Sequence, residues 1–204
     1  MTQVEFKIET YNNYNILESD LNICAEIFSN DFGYWINNRK LKLSSLKLKK
    51  FFISSDSFIS IAKIDNEPIG YLIALNDTQG NNKPFYWISQ IVVKEKYRRK
   101  GVASRLISSI DNFEKASIGI LTRNIILEIL LSRLNKQIIY DTWPIKSFKL
   151  ENKFCYLLDL YLVDNVHFSN TGCLTESTLK FETKEKTFTY NNLKLGMEKL
   201  IFAL

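Results

Sequence analysis

The run FYWISQIVV, residues 85–93, constrains the chain more than any other segment. It is uncharged and rich in aromatic and β-branched residues, so it predicts a central strand buried on both faces. Its apolar character stops at Lys94, where KEKYRRKGVASRLISSI begins: a short basic turn, then a helix whose first turn is Gly101, Val102, Ala103 and Ser104. The first N–H groups of a helix have no partner inside it, and with the helix dipole they attract an anion. Gly101 and Ala103 keep bulk away from that approach, while Arg98, Arg99 and Lys100 gather positive charge around it. Strand, basic turn and helix start in this order suit a diphosphate.

The flanking segments predict an α/β domain. VEFKIETY (4–11) alternates as a half-buried strand does, and in NILESDLNICAEIF (15–28) Ile16, Leu17, Leu21, Cys24, Ile27 and Phe28 recur at helical spacing. A second helix is predicted over 43–53, where lysines interleave with leucines. FISIAKI (58–64) and PIGYLIAL (68–75) are separated by Asp65, Asn66 and Glu67, which predicts an antiparallel hairpin. After the central strand, a helix is expected from 101 to about 117, and IILEILLS (125–132), apolar and β-branched, is expected to be the next strand. KFCYLLDLYLV (153–163) reads as a strand, 177–190 as a hairpin turning at Lys184, Glu185 and Lys186, and NLKLGMEKLIFAL as a terminal helix or strand.

Composition narrows the class. With 204 residues and 46% hydrophobic content, the chain can bury a core as one domain spanning 1–204 without disulfides or metals. The balance of 27 Lys plus Arg against 22 Asp plus Glu gives a net charge of +5, a mild preference for anionic partners. Cys24, Cys155 and Cys173 form no C-x-x-C pair, and His167, in a polar stretch, is the sole histidine, so no metal site is expected. No signal-like N-terminus or membrane-length apolar stretch stands out, and a cytoplasmic protein with reduced thiols, not associated with a membrane, is expected.

R-R-K-G-V-A at 98–103 resembles the Q/R-x-x-G-x-G/A signature of the GNAT acetyltransferases, and the preceding IVVKEKY is similar to that family's strand and turn. The order of predicted elements resembles the family's as well. The resemblance implies a mixed, mostly antiparallel central sheet flanked by helices, with splayed central strands. It also implies acetyl-CoA as cosubstrate, its pantetheine arm beside Ile91, Val92 and Val93 and its pyrophosphate at Arg98, Arg99, Lys100, Gly101, Val102, Ala103 and Ser104. The acceptor implied is a primary amine on a small molecule or a protein. The family commonly carries a tyrosine on the helix after the strand expected here at 125–132, about eleven residues past the L-E pair found at Leu127 and Glu128, and Tyr140 corresponds to it as a general acid for the departing thiolate.

The chain departs from the family in two places. Where an acid often stands on the central strand as general base, this sequence has Ser89 and Gln90; water held by Ser89, or Glu128, would have to serve. Arg133 stands where an asparagine is usual. Two other readings remain: a nucleic-acid or ribosome-binding module using the basic segment 39–50, disfavoured because its lysines alternate with core-like leucines, and a GNAT-like protein that binds acyl-CoA without turnover.

Overall fold

A computed structural model describes residues 5–35, 40, 42–53, 55–77, 84–122, 125–134, 136–140, 166–168, 177–182, 187–193 and 199–203. In chain order the elements are β1 (Lys7–Asn12), α1 (Glu18–Asp31), β2 (Gly33–Trp35), α2 (Ser45–Phe52), β3 (Ser57–Ile64), β4 (Glu67–Asp77) and β5 (Phe85–Val93). They continue with a single 3₁₀ turn (Glu95–Tyr97), α3 (Val102–Ser108), β6 (Ser117–Thr122), α4 (Ile125–Arg133) and β7 (Ile138–Tyr140). The last strands are β8 (Val166–Phe168), β9 (Ser177–Glu182), β10 (Thr187–Leu193) and β11 (Lys199–Ala203). Seven strands form one sheet in the order β1-β3-β4-β5-β6-β11-β7. Every neighbouring pair is antiparallel except β5 and β6, which run parallel. This is the mixed, mostly antiparallel sheet expected from the sequence, and its last strand in the chain, β11, inserts between β6 and β7.

The helices cover both faces. Alternation along β4 places Leu72 and Ala74 on the face packed by α3 and α4, in one cluster with Ile88, Leu106, Ile107, Ile118, Ile120, Leu127 and Leu131. Tyr71, Ile73 and Leu75 take the opposite face, which α1 covers. α1 has no side-chain cap at Leu17, which forfeits about 1 kcal/mol, but it buries Leu21, Cys24, Ile27 and Phe28, each aliphatic or aromatic one returning roughly 1.5–3 kcal/mol. Its fixed position is reinforced at β1 and β3. Lys63 Nζ lies 2.6 Å from Glu9 and 3.3 Å from Asp20 at the start of α1. Hydrogen bonds from Lys63, then Lys7 and Tyr11, hold the Glu9 carboxyl pKa down to about 2. In α2, capped by Ser44, Leu48 and Phe52 are buried while Lys47, Lys49 and Lys50 are exposed, so the leucine–lysine pattern is that of a packed amphipathic helix.

Two expectations are corrected. The predicted strand at 125–132 is the helix α4: Leu127 and Leu131, one turn apart, both enter the α3 core, and an apolar run of that length satisfies a buried helix as well as a strand. The next strand is instead β6, whose SIGILT contains Gly119 and so reads weakly as a strand. The helix expected to reach about 117 ends at Ser108, because the Ser109 hydroxyl turns back to the Leu106 carbonyl at 2.7 Å and meets Ser60 at 2.8 Å. The predicted hairpin over 177–190 is present as β9 and β10, paired from Glu182↔Thr187 outward, and the C-terminal alternative resolves to a strand. The predicted strand at 153–163 lies outside the described residues.

Gly119 explains why β6 can lie where it does. A Cβ there would stand 2.7 Å from Trp87 Cε3 and 2.9 Å from Phe85 Cζ, both in buried side chains. The rings of β5 therefore lie across the backbone of β6. Gly119→Ala should cost about 1–3 kcal/mol by overpacking, measured as a lowered urea midpoint with an unchanged slope; an unchanged midpoint would show that the rings move aside freely.

Candidate functional site

The pairing of β5 with β6 runs only from Phe85↔Ser117 to Ile88↔Ile120. Beyond it the two parallel strands part: Ser89–Val93 keep β4 on one side and, among the described residues, have no strand partner on the other, while β6 goes on to pair β11 at Leu121 and Thr122. The divergence coincides with an irregularity in the β4–β5 ladder. Ile73 pairs with Gln90 and Ala74 with Ile88, so Ser89 is an extra residue on β5. Its hydroxyl donates to the Ile73 carbonyl at 3.2 Å, closing the bulge against β4. A bulge reverses the alternation beyond it. Tyr86 and Ile88 pack in the α3 cluster, and after Ser89 it is Ile91 and Val93 that do so, leaving Gln90 and Val92 on the α1 face. The splayed central strands are thus a property of this chain, with a slot opening at Ser89.

The open edge of β5 leads directly to the basic turn. Lys94 N–H donates to the Ile69 carbonyl, Glu95 N–H to the Asp31 carboxylate, and Arg98 N–H to the Glu95 carbonyl. Arg99 and Gly101 both adopt positive φ, +61° and +82°. A Cβ at Gly101 would meet nothing within 4 Å, so the space before the helix is open, and glycine is required there by conformation. The first backbone bond of α3 runs from Arg105 N–H to Gly101 C=O, which leaves the N–H groups of Val102, Ala103 and Ser104 at the helix start without an intrahelical acceptor. Val102 anchors the helix in the core, and Gly101 is exposed.

The basic residues of the turn divide by role. Arg98 is a brace: its Nε donates to the Val93 carbonyl at 3.1 Å and its Nη2 to the Asp31 carbonyl, joining the end of β5 to the end of α1. Arg99 and Lys100 are exposed beside the helix start, and the Lys100 ammonium stands 5.5 Å from the centre of the Tyr97 ring. A phosphate at this helix start would meet backbone donors and the charges of Arg99 and Lys100, with Arg98 fixing the turn that presents them. The resemblance gave Arg98 a place among the phosphate ligands, and its partners at Val93 and Asp31 are not foreseeable from a basic run.

The remaining candidates are more scattered. Glu128 lies on α4 rather than on a strand. The count that selected Tyr140 began from 125–132 as a strand; Tyr140 instead ends β7, opposite Ile201 of β11. Ile201 also faces Ile120, and Ile120 faces Ile88, so Tyr140 shares a rung of the sheet with the last pair before the slot opens. His167 is in β8, opposite Tyr34 of β2, rather than in a loop. Cys24 is fully buried and its thiol is pushed up, by desolvation and then by Asp20, so it is no nucleophile. Among the described residues no group of His, Cys, Asp and Glu could hold a metal, and no helix is long and apolar enough to cross a membrane.

One pair went unnoticed in the sequence. The Tyr71 hydroxyl donates to Gln90 Oε1 at 2.7 Å in the buried layer beneath α1. The pairing depends on the Ser89 bulge, which no period-two pattern reveals.

Residues 21–135 match the family described as Acetyltransferase (GNAT) family, and the chain belongs to it. No curated protein sequence matches the chain significantly. Among solved structures the fold is similar to a putative acetyltransferase of the GNAT family from Desulfovibrio desulfuricans, with TM-score 0.55, 9% identity and 98% of each chain covered. It is also similar to the ribosomal-protein-S18-alanine N-acetyltransferase from Escherichia coli, with TM-score 0.52, 12% identity, and 98% of this chain and 92% of that one covered. A GNAT-family acetyltransferase from Streptococcus pneumoniae aligns with TM-score 0.51, 12% identity and 98% of each chain.

Proposed function

We propose that this protein transfers an acetyl group from acetyl-CoA to a primary amine, on a small molecule or a protein, by direct attack within a ternary complex. The observation that carries the reading is continuity: one strand supplies an open edge at Ser89–Val93 and then, through a braced turn, an open helix start at Gly101–Ser104. The backbone of Ile91, Val92 and Val93 would pair with the amides of the pantetheine arm as an added strand does. The helix start, with Arg99 and Lys100, would hold the pyrophosphate. From Ser89 to Val93 the strand rises roughly 13 Å, commensurate with an extended pantetheine arm between thioester and pyrophosphate.

The edge of β5 carries no ionisable side chain from Ser89 to Val93, so the strand supports positioning and hydrogen bonding rather than proton abstraction. Water held by Ser89, or Glu128 on α4, is proposed for the amine's proton. Tyr140 is proposed to protonate the departing thiolate on the strength of the family resemblance alone, since β7 stands three strands, roughly 14 Å, from β5 across the sheet.

Calorimetric titration with acetyl-CoA tests the reading. The native protein should bind it saturably, and Gly101→Glu should weaken binding by at least about tenfold, since a carboxylate at the helix start repels the phosphates. Unchanged affinity in that variant would place the cofactor elsewhere. With an acceptor found by screening primary amines for thiol release, Tyr140→Phe should lower turnover on the order of a hundredfold at unchanged acetyl-CoA affinity, and an unaltered rate would remove Tyr140 from the chemistry. Binding without thiol release from any amine would point to an acyl-CoA-binding protein without turnover.

A further inference from the structure

Gln90 carries a polar group that the described residues leave unpaired. The residue is 2% exposed, on the strand that borders the slot and one position past the bulge. Its Oε1 accepts from the Tyr71 hydroxyl at 2.7 Å, and Tyr71 itself is 0% exposed, so the amide is held from one end by a ring with no room to turn away. Its Nε2, at the other end of the amide, is buried and has no hydrogen-bond partner among the described residues. A buried donor left without an acceptor is destabilising, and a residue of the same shape without polar atoms would avoid that cost. An orphan of this kind in a native core calls for an explanation, and a ligand that supplies the missing acceptor is one.

The acceptor that fits is a carbonyl oxygen. An amide NH₂ donates and cannot take up a proton at neutral pH, so Gln90 is unsuited to the base's role but suited to an oxygen on which negative charge develops. Its strand loses its β6 neighbour after Ile88, two residues before Gln90, so the unpaired edge along which an arm would lie begins beside this residue. Resting on the transfer reading above, we infer that Gln90, held by Tyr71, donates through Nε2 to the thioester carbonyl oxygen of acetyl-CoA. In the transfer the amine nitrogen bonds to the carbonyl carbon and the carbonyl π pair moves onto oxygen, where Gln90 stabilises it. The pair then returns and the carbon–sulfur bond breaks. The nitrogen loses a proton, the sulfur gains one, and the products are an acetamide and free CoA thiol. The Ser89 bulge is what turns this side chain to the face where Tyr71 waits, so bulge, anchor and donor form one device.

The test is difference infrared spectroscopy of acetyl-CoA carrying an isotope-labelled thioester carbonyl, bound to the native protein and to Gln90→Met, which keeps the length of the side chain and removes the donor. The native protein should lower the carbonyl frequency relative to solution. In Gln90→Met the band should move back toward its solution position, and the preference for acetyl-CoA over CoA should fall about five- to tenfold, since only the acetylated form offers the carbonyl. The same band and the same preference in both proteins would overturn the inference while leaving the transfer function intact. Absence of acetyl-CoA binding to the native protein would instead bring down the transfer function and Gln90's role with it. Should Gln90→Met not fold, Tyr71→Phe carries the test: releasing the amide should shift the band part of the way back and broaden it, and an unchanged band would count against the device.

Discussion

The hydrogen-bond ladder between β5 and β6 stops after Ile88↔Ile120, and the rest of the site depends on that stop. Backbone groups freed along β5 need partners, and a buried strand edge without them is costly unless water or a ligand fills the opening. The Ser89 bulge and the Gly119 contact act on the two sides of the same junction. The extra residue bends β5 and reorients Gln90 and its successors, while the absence of a side chain at Gly119 lets Phe85 and Trp87 lie over β6 where the strands are still joined. The sheet is thereby clamped below the junction and open above it.

Above the junction, where β5 keeps only β4 as a strand partner among the described residues, polar braces add rigidity. Arg98 ties the Val93 carbonyl to the end of α1, and Asp31 accepts from Glu95 N–H, so the turn is fixed to the α1 layer even though β6 has departed. α1 is in turn fixed by its apolar face and by Asp20 meeting Lys63. A strained turn with Arg99 and Gly101 at positive φ can thus present the helix start in one orientation. Net charge plays a smaller part than the distribution: of Arg98, Arg99 and Lys100, the first braces the turn and the other two are exposed.

Much of this was legible in the residues. FYWISQIVV could be little other than a central strand, and Gly101 ahead of V-A-S identified an open helix start because it brings no bulk to the approach. The hairpin around Asp65 and Asn66 announced itself in the same way, and both residues do adopt positive φ. The misread segment shows where local pattern fails. Ile125–Arg133 is apolar nearly all round, so its period is hidden, and β6 contains a glycine whose purpose lies in the rings of another strand. Exchanging those two elements carried the tyrosine count to a residue on β7. The Gln90–Tyr71 pair was illegible for a different reason: it exists only after a bulge has reversed the alternation, a long-range outcome of pairing with Ile73 and Ala74.

The central claim is that the opened edge of β5 and the start of α3 receive one ligand together, and backbone hydrogen exchange with and without acetyl-CoA tests it most directly. The account predicts slowed exchange in peptides spanning 89–93 and 101–104 at once, with the β1–β3 edge of the sheet unaffected. Slowing confined to other segments, or none in either peptide at a saturating concentration, would contradict it.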